Sequence, residues 1–598
     1  MKPCPSDHPV CCTLSLILFA CVCSAAEPRF PPPKPRYEVR VEGDVRVPMR
    51  DSVKLATDLY FPVGTGQKLP AVMIRTPYNR KSQATAARLF AGQGFVTIVQ
   101  DVRGKFDSDG VFTVSANDTR DGSDLLDWIA AQTWSTGKIG TYGCSYVGED
   151  QIELSKVRNP RHSAMIAQAA GGAYRYAGLM TGGALELAMA SEWFYANGNK
   201  HDPKTRLPPI ADKPAMWRSL PLIDMLRKVG ASSTDWEGWV SHAPGDAWWG
   251  QFGYVTDANR FNVPGLHVCS WYDNVVKEAL GLFSLLGRNA ETARARDNQF
   301  VIISPTTHCR SERATDHTMV GALDFGDAQL DYFKIYVDWF NRFLKEEENP
   351  ASAIPKVQIY VMGKNQWRGE SEWPLARTKF TKYYLHSGGH ANGGSGTGAL
   401  SIEAPHKEPA DQFTYDPGNP APTIGGAICC TPDPKNPDGP LDQREVEQRP
   451  DVLVYSTPVL ERGVEITGPL EAVLYVSSSA KDTDFTAKLV DVHPDGSAYN
   501  VQEGILRARY RDGFGRKVWM RQGSVYELKV DLMATSLYVA AGHRIRLEIS
   551  SSNFPRFDRN LNTGGNNYDE TLWVKARNSV HHTHGKASYL MLPVIPQL

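Results

Sequence analysis

Past its first 26 residues, this chain of 598 has no apolar run long enough to cross a bilayer, so no membrane-spanning segment is expected. Charge of either sign is not in excess. A formal net charge of -1 gives no electrostatic reason to expect nucleic acid or an anionic membrane as partner. Internal repeats are absent. Cysteine is scarce: five of the ten lie in the N-terminal stretch, leaving Cys144, Cys269, Cys309, Cys429 and Cys430. An odd number excludes a fully paired disulfide framework while allowing one or two bridges, and none of the spacings matches a zinc site. No metal and no organic cofactor is expected.

What is present begins with the run "CCTLSLILFACVCSAA" after Lys2, too short to span a membrane comfortably and ending in small residues. It reads as a secretory signal over residues 1–26, cut near Ala26. The alternative, a lipoprotein cleavage site at "LFAC" ending in Cys21, fits poorly because of Phe19. The mature protein is therefore expected to be secreted or periplasmic. Its length implies two or three domains.

From residue 37 to 349 strand-like and helical segments alternate. Runs such as "PAVMIRTPY", "FVTIVQDVRG", "KIGTYGCSY", "PGLHVCSWYD" and "QFVIISPTTH" are separated by "SQATAARLFAGQG", "DGSDLLDWIAAQ" and "NVVKEALGLFSLLG". Near-continuous Val/Ile strands between amphipathic helices indicate a doubly wound, mostly parallel sheet, with reacting groups at the carboxyl ends of its strands. The helix-rich, tryptophan-rich insertion at 173–261 interrupts this alternation and reads as a cap, leaving 37–172 and 262–349 as the catalytic domain. From 350 to 598 alternating strands dominate, among them "KVQIYVMG", "FTKYYLHSG" and "GHRIRLEISSSNF". They indicate a β-sandwich or jelly roll, with a long loop region over 387–448.

"KIGTYGCSYVGEDQ" places Ser145 at the seam of a strand and a helix, between Gly143 and Gly148. A nucleophile elbow needs that arrangement, since the serine sits on a sharp turn and the glycines let the neighbouring backbone pass close by. A loop serine between turn glycines would look the same, so the triplet alone decides little. Chain order adds weight: after Ser145, Asp273 ends one predicted parallel strand and His308 ends the next. Ser, then Asp, then His at strand carboxyl ends is the order of an α/β-hydrolase triad. Cys144, beside the serine, is expected to be a buried small residue and no second nucleophile.

"GCSYVGEDQ" resembles the G-x-S-Y-x-G-x-x-Q elbow of the family that includes cocaine esterase, glutaryl cephalosporin acylase, α-amino-acid ester hydrolase and Xaa-Pro dipeptidyl-peptidase. "QDVRGKFDSDG", "HVCSWYDN", "ISPTTH", "FTAKLVDVHPDG" and "GHRIRLEISSSNFPRFDRN" are similar to its landmarks, so the resemblance covers nearly the whole mature chain. It implies an α/β-hydrolase with a helical cap and a C-terminal jelly roll. It also implies Ser145 as nucleophile, His308 as general base and Asp273 as its orienting carboxylate. Tyr78 in "IRTPYNRK" and the backbone N–H of Tyr146 would form the oxyanion hole. Trp193 in the cap and Trp271 are the tryptophans expected against substrate.

The acids that follow the catalytic Asp in α-amino-acid ester hydrolases are missing here, where Asn274, Val275 and Val276 follow Asp273. Glu192 lies near another member of that cluster, yet one carboxylate in a cap helix is usually a solvated residue. The expected substrate is an acyl ester or side-chain amide with an apolar portion. An Xaa-Pro dipeptidyl-peptidase or a glutaryl-type acylase is the alternative on the same scaffold. A non-catalytic carbohydrate- or surface-binding protein is the alternative of another class. "PKNPDGPLDQRE" fails as a calcium loop because Pro434 takes the first ligand position, and "VHHTHGK" reads as strand and turn before it reads as a metal site.

Overall fold

The structure of the protein, a computed structural model, describes residues 29–175, 179–200, 207–347, 354–430, 433 and 435–596. The expected signal segment over 1–26 lies outside the described residues. Among them, no helix is long and apolar enough to cross a membrane.

Ten strands form the first sheet: β1 (Val39–Pro48), β2 (Lys54–Pro62), β3 (Leu69–Thr76), β4 (Val96–Asp101), β5 (Ser135–Cys144), β6 (His162–Gln168), β7 (Gly265–Tyr272), β8 (Gln299–Thr307), β9 (Val357–Val361) and β10 (Gln366–Glu370). Their spatial order is β1-β2-β4-β3-β5-β6-β7-β8-β9-β10. The run from β4 to β9 is parallel throughout, and the antiparallel strands β1, β2 and β10 finish the two edges. All eight residues of β3 are buried, as a central strand covered on both faces requires.

Side-chain alternation along β3 sorts the two faces. Val72 and Ile74 pack with Phe90 of α1 (Ala84–Gly92) and with the cluster that holds Tyr336 and Phe340. Ala71 and Met73 join Leu125, Leu126 and Ile129 of α2 (Asp118–Ala130). Helix α3 (Tyr146–Ser155) and helix α4 (Val276–Arg288) cover the same face as α2 further along the sheet, through Leu154, Ile152, Leu282 and Leu285. Helix α5 (Tyr332–Leu344) supplies Tyr336 and Phe340 opposite. This is the α/β-hydrolase fold.

The sheet runs past the boundary expected at residue 349. "KVQIYVMG", read from sequence as a strand of the C-terminal sandwich, contains β9, which pairs parallel with β8 through Val301↔Val357 and Ile303↔Ile359. A strand's local pattern shows that it is a strand and not which sheet it joins. From residue 379 on, eleven strands are hydrogen-bonded in one β-rich domain. The stretch 387–448, read as loop, also carries strands Gly398–Ser401 and Asp411–Tyr415 and a short helix Arg444–Glu447.

The cap holds the helices Leu187–Asn197, Lys213–Arg218 and Trp236–Ser241. Trp236, Trp239, Trp249 and Phe194 make its core. The β-rich domain clamps it: Ala188 donates to the Pro555 carbonyl at 3.0 Å and Leu185 to the Asp558 carboxylate at 2.7 Å. Beside them the buried Arg556 lies between Glu186 and Glu503.

Candidate active site

Ser145 stands where β5 ends and α3 begins, with φ 62° and ψ -133°. A side-chain-bearing residue held at positive φ costs of order 1–3 kcal/mol and persists only where surrounding structure over-determines it. Here Ser145 N–H donates to the Gln168 carbonyl at 3.0 Å, and the Ser145 carbonyl accepts from Gly148 at 2.7 Å and Glu149 at 2.8 Å. The flanking glycines answer to close approach. A Cβ on Gly143 would sit 2.2 Å from a Val147 methyl, and one on Gly148 2.6 Å from the Gln168 carbonyl oxygen. Both positions therefore exclude any side chain while the turn stays this sharp.

Asp273 follows β7 and is fully buried. Its Oδ1 accepts from the Val275 N–H at 3.1 Å and its Oδ2 lies 3.0 Å from His308 Nδ1, after β8. His308 Nε2 is buried without a hydrogen-bond partner. Burial alone would lower the His308 pKa, but the charge and hydrogen bond of Asp273 outweigh it and the imidazole is raised above 6.5.

Ser145 and His308 line one cavity with Tyr78, Tyr146, Glu149, Trp193, Trp239, Tyr254, Cys429 and Cys430. Tyr78 extends from the loop after β3, and its Oη accepts a hydrogen bond from Trp193 Nε1 at 3.0 Å. Burial pushes the Tyr78 phenol up to about 12, so it stays a protonated donor. The Tyr146 ring stacks on Trp193 at 6.0 Å between centroids, and its hydroxyl is bonded to Asp118 and to the Ser115 N–H. As the first residue of α3, Tyr146 has a backbone N–H with no intrahelical partner.

The structure brings Ser145, His308, Tyr78, Tyr146 and Trp193 into this cavity, with Asp273 behind His308. Trp271 is not with them. Alternation along β7 turns it to the far side, where it is fully buried and its Nε1 donates to the Tyr360 carbonyl at 2.7 Å. Trp271 thus belongs to the interface between the two sheets' domains and cannot meet substrate. Glu192 is not solvated as expected: it is ion-paired to Lys213 beside a neighbouring cavity.

Cys144, expected to be a buried small residue, is half-buried. It is joined to Cys309 in a disulfide with Cα atoms 6.0 Å apart. The bridge ties the residue before Ser145 to the residue after His308. Cys429 and Cys430 form a second disulfide on the cavity wall, and Cys269 is a buried free thiol.

Glu149 escaped the sequence reading, where it looks like any charged residue in the first turn of a helix. In the fold its carboxylate faces the cavity and makes no hydrogen bond or ion pair among the described residues. Desolvation raises its pKa to about 7, with His308 working against the shift and Asp273 adding to it. Gly172 makes room for it, since a Cβ there would lie 2.2 Å from Glu149 Oε1.

Residues 51–310 match the model of the X-Pro dipeptidyl-peptidase S15 family, and residues 349–591 match the X-Pro dipeptidyl-peptidase C-terminal non-catalytic domain. The chain is 34% identical to the cocaine esterase of Rhodococcus sp. over 592 residues, covering 93% of this chain and 98% of that one. Two solved structures share the fold over 96% of this chain. One is an α-amino acid ester hydrolase, at TM-score 0.81 and 23% identity over 100% of its length. The other is an aminopeptidase from the archaeon Thaumarchaeota, at TM-score 0.80 and 24% identity over 99% of its length. The catalytic and C-terminal matches together, and the extent of the esterase likeness, identify this chain as a hydrolase belonging to the S15 family.

Proposed function

We propose that the protein is an exported serine hydrolase that cleaves acyl esters or side-chain amides through an acyl-enzyme on Ser145. The observation that carries this reading is the strained Ser145 at the strand–helix junction, in one cavity with a His308 whose Nδ1 is fixed by buried Asp273. Nε2, the ring nitrogen that Asp273 leaves free, is then the one available to serve as base toward the Ser145 hydroxyl.

In the reaction so assigned, His308 Nε2 takes the Ser145 proton as Oγ attacks the substrate carbonyl. Asp273 fixes the tautomer and stabilises the imidazolium. The Tyr78 phenol and the Tyr146 N–H receive the developing oxyanion, and the N-terminal end of α3 adds its positive dipole. His308 then protonates the leaving group and, in reverse, activates the water that releases the acid. Trp193 and Tyr146 offer flat apolar faces to the acyl portion.

Glu149 favours a second substrate class on the same machinery. A carboxylate without a partner in an aromatic cavity is costly unless a ligand pairs with it. Esters or amides bearing a protonated amine would supply that charge. The test is hydrolysis of p-nitrophenyl butyrate against Gly-Pro-p-nitroanilide by mature protein, with Ser145→Ala as control. Ester cleavage lost in the variant, with little anilide cleavage, supports the esterase. Preferred cleavage of the anilide supports an exopeptidase, and activity that survives Ser145→Ala refutes both.

A further inference from the structure

Acyl transfer leaves the Cys429–Cys430 pair unused, although it forms part of the cavity wall. The pair lies in sequence between Gly426 and Gly439, whose backbones exchange two hydrogen bonds at 2.7 and 2.9 Å. Cys429 is buried and lines both the catalytic cavity and the neighbouring one, whereas Cys430 is exposed. The two sulfurs and a ring nitrogen of His308 lie within 4.8 Å of one another.

We propose that reduction of the Cys429–Cys430 disulfide turns this wall into a site for a thiophilic divalent cation such as Zn²⁺, held by both sulfurs and His308, whose occupation stops hydrolysis. The shut-off rests on His308 being the general base; the metal site does not. A small dithiol donates two electrons and two protons to the disulfide and leaves as its own cyclic disulfide. The cation then displaces the two thiol protons and is held by two thiolates and a neutral imidazole, with a fourth position open to water.

The donor set is one that suits zinc. Tetrahedral zinc places its thiolate sulfurs about 3.8 Å apart, from Zn–S bonds of about 2.3 Å. Such a spread is closed to the bonded pair and open to the reduced one, so the disulfide itself keeps the site shut. The imidazole is already backed as zinc-binding histidines are, with Nδ1 on the Asp273 carboxylate. Cys430, being exposed, gives a reductant its point of attack.

The test uses the full mature protein, oxidised or reduced with a dithiol that is then removed under anaerobic conditions, and Co²⁺ as a spectroscopic stand-in for Zn²⁺. The reduced protein should bind one equivalent with a thiolate-to-cobalt charge-transfer band. Equimolar Zn²⁺ should cut its ester hydrolysis at least about tenfold, reversed by a chelator. The oxidised protein should show neither effect. A Cys429→Ser/Cys430→Ser variant, which keeps Cys144 and Cys309, is treated identically, each protein being compared with its own metal-free rate. No band in the reduced protein, or an equal band in the variant, overturns the site. A band with undiminished hydrolysis overturns the shut-off. His308→Gln in oxidised protein tests the base assignment separately, since hydrolysis that survives this change refutes that assignment and not the ligand set.

Discussion

Opening the Cys144–Cys309 bridge should cost stability and rate together, because the bridge joins the chain next to Ser145, the proposed nucleophile, to the chain next to His308, the proposed base. The half-cystines are 165 residues apart in sequence. For a loop of that length the chain-entropy relation, -2.1 - 1.5R ln n, gives about -17 cal/mol/K, or about 5 kcal/mol at 25 °C. Measured losses commonly fall below this figure, so 2–5 kcal/mol is the working range, roughly, for Cys144→Ser/Cys309→Ser. Both residues sit at positive φ or beside it: Cys309 has φ 55° and Ser145 φ 62°. Relaxation at either end would change how Ser145 is set against His308, and small misplacements of reacting groups cost on the order of 10²-fold. Urea unfolding followed by fluorescence, with kcat for p-nitrophenyl butyrate measured well below the transition, reads both effects. A variant with an unchanged unfolding midpoint and unchanged kcat would refute the account of the bridge as a staple of the active site.

Further predictions follow from the same geometry. Tyr78→Phe should lower kcat about 10²–10³-fold, or about 2.7–4 kcal/mol of transition-state stabilisation, with KM nearly unchanged; a larger effect on KM than on kcat would contradict an oxyanion role. Because His308, as the proposed base, must be neutral to accept a proton and its pKa is raised, kcat/KM should climb with pH through an inflection above 6.5. Asp273→Asn should move that inflection down as well as slowing the reaction. Glu149 is raised from 4.5 to about 7, so the folded protein holds the extra proton between those values and stability falls as pH rises through that window. The interval corresponds to roughly 3 kcal/mol at most. Glu149→Gln should therefore raise the thermal midpoint at pH 8 and leave it unchanged near pH 4, and an equal gain at both would refute the argument.

Much of this was legible because the parallel sheet converts sequence order into spatial order. Asp273 and His308 are 35 residues apart, yet each follows a neighbouring strand, β7 and β8, and their side chains meet at 3.0 Å. Gly143 and Gly148 carried a second legible signal, since steric exclusion at both is written into the residue type. Trp271 shows where such reading stops. Its strand is plain in the sequence, but the ring's surroundings are not: the Tyr360 carbonyl it binds lies on β9, and a strand's local pattern does not say which sheet it joins. Glu149 was invisible for a related reason: charge in a helix's first turn looks solvated until the cap and Gly172 enclose it. Pairing of the cysteines needed long-range geometry that spacing does not carry.

The central claim is that Ser145 is the nucleophile, and covalent capture tests it most directly. Mature protein treated with a fluorophosphonate, digested and mapped by mass spectrometry should carry a single adduct on Ser145, with hydrolysis lost in proportion. The adduct should be absent in Ser145→Ala and slowed in His308→Gln. An adduct on another residue, or unmodified Ser145 in protein whose hydrolysis has been abolished by the probe, would contradict the account.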